Sequence, residues 1–424
     1  MSHEVCAMRI RNTRRRIVAM VGLGAGIVAA SNVVCAQIPC EYDVQIIASP
    51  LDCGLGTVNT FGLGLNEHGD VVRYYFCPLW DHYEAFVWTA ESGFVTLQRP
   101  QGVSSAIAVG INDEGITCGT LWVSGLGYRG FVYDDGAWTI LDPVVPDAGW
   151  SGANAINNAG VVVGQRSITK NLNPQNAYIW SADEGFTDLG VMNGPNSAAR
   201  DVNEKGDVCG WTGVFLSSDE VFVWSDGKLR FLGPIPGGES STGSAINALG
   251  QVSGAGLIES KDSPTIVTGF VWDDGVFSLI DPIIGYDTSS SGDINDQGYA
   301  TGNSVNLDQP TDRHGYVWIN GVTNDLNDFI DPKLPLVVGG AAGIANSGQV
   351  VANGHDDAGE TLSFLLTPRN APLGDLDSDC IVGVTDLLIL LAEWGQRDSP
   401  ADLNGDGIVG VKDLLILLGN WGSN

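Results

Sequence analysis

Oxygen-bearing side chains recur at fixed spacing near the end of the chain. Asp375, Asp377, Asp379 and Asp386 take positions 1, 3, 5 and 12 of one twelve-residue stretch. Asp402, Asn404, Asp406 and Asp413 take the same positions of a second. Carboxylates and amides are hard oxygen donors, and a calcium ion wants six to eight of them. A loop that curls round an ion presents side chains at this spacing, so the chemistry indicated is calcium binding, one ion per loop. The helix-like runs DLLILLAEWG and DLLILLGNWG follow the two loops. The competing account is two Asp-rich turns that merely cap helices. It must explain why loop and helix are both duplicated.

This duplicated loop and helix resembles a type I dockerin, of the kind found at the C-termini of secreted planctomycete proteins. The resemblance covers about 50 residues, from 371 to 424. It implies a calcium-dependent, EF-hand-like α-helical module with two Ca2+ ions and a docking role. It assigns the eight residues above as side-chain ligands, Ile381 and Ile408 as carbonyl ligands, and Gly383 and Gly410 to positions beside a bridging water. It also puts Val384, Thr385, Val411 and Lys412 at the partner-reading edge, the partner being a cohesin-like or cell-envelope protein. Two departures stand out. Position 12 is Asp rather than the EF-hand Glu, which is normal for dockerins. Position 6 of the first loop is Cys380, where the sharp turn prefers Gly, and a non-Gly residue at positive φ costs on the order of 1 kcal/mol.

The start of the chain reads as an export signal. Arg9, Arg11, Arg14, Arg15 and Arg16 precede an apolar stretch, Ile17 to Ala30, and Val34-Cys35-Ala36 fits a small-x-small cleavage site. Residues 1–36 are therefore expected to be removed, leaving no membrane span and a secreted, extracellular or cell-surface protein. With 20 Lys+Arg against 50 Asp+Glu, the net charge is −30. No basic patch is visible, which argues against nucleic acid and other polyanionic partners. Six cysteines remain after cleavage, Cys40, Cys53, Cys77, Cys118, Cys209 and Cys380. Export permits disulfides, six cysteines allow 15 pairings, and the sequence does not choose among them. Cys118 and Cys209 occupy the same repeat position, so they are not expected to pair with each other.

Residues 37–370 repeat seven times with a period near 46. The first motif is apolar-Asn-x-x-Gly, at Asn66, Asn112, Asn157, Asn203, Asn247 and Asn295; the seventh copy has Ala345 in place of Asn. The second is aromatic-apolar-aromatic, as in Phe86-Val87-Trp88, Phe131-Val132-Tyr133 and Phe222-Val223-Trp224. Each unit reads as four short strands, a to d, with Asn-x-x-Gly turning a into b and Asp-Gly turning c into d. Four strands per 40–50 residues, repeated, predicts an all-β seven-bladed β-propeller. Unit seven ends at Phe364-Leu365-Leu366 without a d strand, and a spare strand at Tyr42–Ile47 is expected to fill that place. An open β array and a six-bladed ring with an irregular seventh unit are the competing architectures. The units resemble extracellular "HAF" repeats, best at Ala155–Gly164 with Ala177–Trp180 and Leu189-Gly190. That resemblance implies secretion and a propeller-like fold, and no particular reaction.

The loops opposite the short turns are the expected binding face. Trp80 and Trp122 are expected in b–c loops, Trp150 in a d–a loop and Trp211 at the end of a b strand. Their indoles could stack on a glycan, or pack beneath their own loops. The repeated Trp88, Trp180, Trp224, Trp272 and Trp318 are expected in the core between blades. His68 falls in an a–b turn, and His82, His314 and His355 are expected in b–c loops. No nucleophile motif or metal-spaced histidine pair appears, and no catalytic residue is assigned. The function expected is a secreted, non-enzymatic binding or scaffold propeller attached through the calcium-dependent module. The alternatives are a polysaccharide hydrolase or lyase on a propeller scaffold, and a structural matrix or surface-layer component.

Overall fold

The computed structural model describes residues 39–47, 60–77, 82–141, 149–167, 169, 174–190, 194–213, 219–258, 265–369, 371–377, 379–397 and 399–422. The segment 1–36, Cys53 and Trp80 lie outside them. The chain forms two compact units, Tyr42–Thr367 and Met1–Glu41 with Pro368–Asn424. Residues just before Tyr42 and just after Thr367 belong with the C-terminal unit, where Cys40 N–H donates to the Arg369 carbonyl at 3.3 Å and Arg369 pairs with Glu41 at 3.1 Å.

The larger unit is almost entirely strand. β1 spans Glu41–Ile47. The first group is β2 (Thr60–Leu65), β3 (Val71–Cys77), β4 (His82–Thr89) and β5 (Gly93–Thr96). The second is β6 (Val103–Ile111), β7 (Thr117–Val123), β8 (Gly127–Asp134) and β9 (Ala137–Leu141). The third is β10 (Ser151–Ile156), β11 (Val162–Ser167), β12 (Gln175–Ser181) and β13 (Gly185–Asp188). The fourth is β14 (Asn196–Val202), β15 (Val208–Gly213), β16 (Glu220–Ser225) and β17 (Lys228–Gly233). The fifth is β18 (Ser240–Ile246), β19 (Val252–Ile258), β20 (Ile266–Asp273) and β21 (Val276–Ile280). The sixth is β22 (Thr288–Ile294), β23 (Ala300–Val305), β24 (Arg313–Ile319) and β25 (Val322–Asp325). The seventh is β26 (Leu336–Ile344), β27 (Val350–Asp356) and β28 (Thr361–Arg369), with β1 as its fourth strand in the order β1-β28-β27-β26.

The first six groups and β26–β28 are antiparallel meanders, and no sheet closes on itself. One parallel pair, Gln175 with Asn196, joins the third and fourth groups. The first strands β2, β6, β10, β14, β18, β22 and β26 contact one another in succession, and β26 returns to β2. Local chemistry accounts for the hairpins. Gly160 takes φ 73° at the end of an Asn-x-x-Gly turn, and its N–H closes on the Asn157 carbonyl at 3.0 Å. Asp135 and Gly136 both take positive φ, 41° and 87°, the pair that a tight type I′ hairpin requires.

The repeated aromatics fill the space between groups. Phe86, Phe131, Tyr178, Phe222, Phe270, Tyr316 and Phe364 are fully buried. Trp88, Trp272 and Trp318 are buried as expected, and Trp180 and Trp224 pack half-buried against two further cores, those of Leu141 with Val162 and of Val208 with Phe222. Every first strand carries a β-bulge at one equivalent place, around residues 63, 109, 154, 200, 244, 292 and 342. The second strand passes so close there that a Cβ on Gly164 would overlap the Gly152 carbonyl. A side chain is thus excluded for steric reasons, not for reasons of turn conformation.

The smaller unit holds two short helices, α1 (Val384–Ala392) and α2 (Val411–Gly419). Each follows a glycine N-cap whose N–H is held by the aspartate three residues on, Asp386 or Asp413, at 2.7 Å. Val382, Leu390, Ala401, Val409 and Leu417 form the core between them.

Candidate functional site

The first acidic loop is built around its own carboxylates. Oxygens of Asp375, Asp377, Asp379 and Asp386 all lie within 4.8 Å of one another. Backbone N–H groups hold them there. Asp375 accepts from Asp379 N at 3.0 Å and Cys380 N at 2.9 Å, and Asp386 accepts from Leu376 N at 2.6 Å and Gly383 N at 2.7 Å. The second loop repeats the pattern. Asp402 accepts from Asp406 N at 3.2 Å and Gly407 N at 2.7 Å, and Asp413 accepts from Asn404 N at 3.0 Å.

The electrostatics follow from this crowding. Burial pushes Asp375 and Asp377 above the usual carboxylate range, and the charges of Asp386 and Asp379 add to that against the backbone hydrogen bonds. Burial also works upward on Asp413, but donors that include Gly410 and Asn404 outweigh it and hold the group below its ordinary value. Mutually repelling carboxylates, with oxygens converging and backbone dipoles fixing them, are a donor set that fits a hard divalent cation. Ile381 and Ile408 sit at the seventh positions with exposed side chains.

Cys380 takes φ 66°, the left-handed conformation that its loop position demands. It is also disulfide-bonded to Cys40. Cys118 and Cys209 are free and buried, so they do not pair with each other, as expected.

The partner-edge residues Val384, Thr385, Val411 and Lys412 are all exposed. Lys412 is engaged, its ammonium lying 3.0 Å from Asp406 of the second loop. The helix leucines divide into two sets. Leu390 and Leu417 are buried, whereas Leu388, Leu391, Leu415 and Leu418 are 61%, 49%, 63% and 46% exposed.

The tryptophans do not form one site. Trp122 lies inside β7, not in a loop, paired across to Tyr128 and stacked edge-on against it at 4.6 Å. Its flanking segment keeps strand pairing up to a tight turn, so no loop remains for it to occupy. Trp150 precedes β10 half-buried, as a loop residue should. Trp211 is 2% exposed within β15, not at its end, since pairing continues to Gly213. His82, His314 and His355 likewise fall in strands β4, β24 and β27, because the second and third strands run longer than their hydrophobic patterns indicate. His314 Nδ1 donates to the Asp325 carboxylate at 2.6 Å, and this bond, opposed by burial, raises its pKa. His82 joins Glu84 at 2.9 Å, and Arg99 also binds Glu84. These are bonded clusters on strands of the sixth and first groups.

A second role of the repeated asparagine is missing from the sequence reading. Asn112 Oδ1 accepts the N–H of Glu114 and of Ile116, which is turn chemistry. Its Nδ2 donates to the Asn157 carbonyl of the next group at 3.1 Å. Asn66, Asn157, Asn203, Asn247 and Asn295 do the same to residues 112, 203, 247, 295 and 345. At Ala345 the series lacks its donor. There the Glu67 carboxylate accepts from Asn346 N at 2.9 Å and joins the seventh group to the first. The only available signal was the constancy of Asn where Asp or Ser would also make the turn.

No family model matches the sequence, and no curated protein matches it. Among solved structures, the β-propeller domain of the Trilobed protease from Pyrococcus furiosus is similar at 9% identity, over 74% of this chain and 95% of that one, with a TM-score of 0.46. A gluconolactonase from Xanthomonas campestris aligns at 11% identity over 78% and 98%, TM-score 0.36. TolB from Acinetobacter baumannii aligns at 9% over 68% and 60%, TM-score 0.38.

Proposed function

We propose that the chain is a secreted, non-enzymatic binding protein in which a seven-bladed β-propeller, closed by its N-terminal strand, is attached through a calcium-binding, dockerin-like module. The observation that carries this reading is the duplicated loop whose carboxylates are gathered and held by backbone N–H groups. Asp375, Asp377, Asp379 and Asp386, with the Ile381 carbonyl, would hold one Ca2+. Asp402, Asn404, Asp406 and Asp413, with the Ile408 carbonyl, would hold the second. Bound calcium supplies the positive charge that offsets carboxylate repulsion, so binding and folding of this unit are coupled.

Two features support attachment and export. Val384, Leu388 and Leu391 on α1, with Val411, Leu415 and Leu418 on α2, leave apolar side chains in water, and a cohesin-like or cell-envelope protein is the partner that such a module would take. The Cys40–Cys380 disulfide suits an oxidising, extracellular compartment. The succession of first strands from β2 back to β2 supports a closed ring.

Calorimetric titration of the EDTA-stripped full chain tests the metal reading. Two calcium ions per chain are expected, and one in Asp402→Ala or Asp413→Ala. An unchanged stoichiometry in both variants would overturn it. Calcium-dependent capture of an envelope protein, removed by Thr385→Asp with Lys412→Asp, tests the docking edge.

A further inference from the structure

A cavity of about 390 Å3 lies on the inner strands of the larger unit, far in sequence from the acidic loops. Arg200 of β14 reaches it from the bulge of that strand, the place where the other inner strands carry Leu, Val, Asn, Ser, Gly and Ala. A bulge turns one extra side chain out of the pleat, and here it turns out the only cation of the seven. Room for the long side chain comes from its neighbours, because Gly243 and Gly292 line the same space with no side chain.

Arg200 makes no hydrogen bond or ion pair among the described residues. Arg230 of this unit also has none among the described residues and lies over the Trp272 ring at 4.8 Å, whereas other arginines are bonded. Arg73 reaches the Ile47 carbonyl at 2.6 Å, Arg99 the Glu84 carboxylate at 2.7 Å, and Arg166 the Asp188 carboxylate at 3.3 Å. Two half-buried acids of the inner strands, Asp201 and Asp293, are committed to backbone N–H groups. Asp201 accepts from Ile246 N at 2.8 Å, and Asp293 accepts from Ile344 N and Ile294 N, both at 2.8 Å. Arg200 is exposed on β14, and the surrounding protein lowers its pKa by desolvation. An unpaired guanidinium at the edge of a cavity, still open to solvent, is a ready partner for an anionic ligand.

We propose that this cavity binds a small hydroxylated monocarboxylate, a uronic acid or similar acidic sugar, through a forked contact between Arg200 and the ligand carboxylate. One guanidinium matches one carboxylate with two parallel hydrogen bonds. Asp219 lines the same wall. Thr242 and Ser244 line the same space with hydroxyl-bearing side chains, of which Thr242 donates to the Ala255 carbonyl at 3.4 Å, and Trp211 adds an aromatic wall. The volume is at the lower end of small-molecule sites, enough for one ring.

The test is calorimetry on the full chain at fixed calcium, titrating glucuronate, glucose, acetate and sulfate in turn. Glucuronate is expected to bind at least about tenfold more tightly than the other three, and Arg200→Gln to weaken it by at least about tenfold with an unchanged melting temperature. If Arg200→Gln does not fold, Ser244→Ala decides, with an expected loss of about threefold to tenfold. Asp413→Ala should leave glucuronate binding intact, which separates this site from the calcium loops. No binding of glucuronate, equal binding of sulfate or acetate, or a variant that binds like the unaltered chain would each overturn the proposal.

Discussion

At the residue scale, a single asparagine does the work of a turn and of an interface. Asn112 is 3% exposed and makes three hydrogen bonds, two within its hairpin and one to the next sheet. Replacing it by Ala leaves buried backbone groups unpaired, so Asn112→Ala should lose about 2–4 kcal/mol, read by chemical denaturation. Ala345→Asn is the converse, since it restores the missing donor and should add up to about 1 kcal/mol. Asp293 carries a pH dependence. Burial, reinforced by Asp201 and opposed by the Ile344 and Ile294 N–H groups, lifts its pKa from 3.8 to about 7. The folded state therefore binds this proton more tightly than the unfolded chain. Its contribution is full below pH 3.8 and is lost as pH rises to about 7. Melting temperature should fall between pH 5 and 8 more steeply in the unaltered protein than in Asp293→Asn. Equal slopes would show that Asp293 ionises freely.

At the element scale, the informative strand is β1. It supplies the fourth strand of the seventh group from the other end of the chain, covering the edge of β28 that would otherwise be open to aggregation. Ile47 anchors it, fully buried against Val71, Tyr75, Phe86 and Leu365. Ile47→Ala should cost about 2–5 kcal/mol through the cavity it leaves. Amide exchange is expected to accelerate first in β1 and β28; uniform acceleration across all groups would instead mean that β1 is not the weak seam. The hairpins of this unit were legible because Asn-x-x-Gly and Asp-Gly fix local dihedrals. The aligned bulges were not, because a bulge depends on which residue of the partner strand it opposes.

At the scale of the whole molecule, the Cys40–Cys380 bond closes a path of 340 residues. In the chain-entropy account, so long a loop contributes on the order of 5 kcal/mol. Cys40→Ser should therefore lower the thermal transition of the C-terminal unit and speed its proteolysis. Cys380→Gly should be less harmful than Cys380→Ser by about 1 kcal/mol, because glycine accepts the φ of 66° without strain. Melting of Cys40→Ser at the temperature of the unaltered chain would assign no stabilising role to the bond, and equal melting of the two Cys380 variants would assign no strain to its φ.

The sequence by itself determined the repeat, its four strands, the place of the spare strand and the two acidic loops. Each is written in short-range spacing, where a turn residue or a ligand position acts within about a dozen residues. Tertiary structure alone decided that the asparagines join adjacent sheets, that Cys380 pairs with Cys40 out of fifteen possible arrangements, and that Trp122 and Trp211 lie within strands. It also decided that one arginine is left facing a cavity. The asparagine bonds and the disulfide depend on partners 44 to 340 residues away, and the tryptophan placements on cross-strand pairing, all chosen by packing and by register between strands. No local pattern of residue types encodes that register.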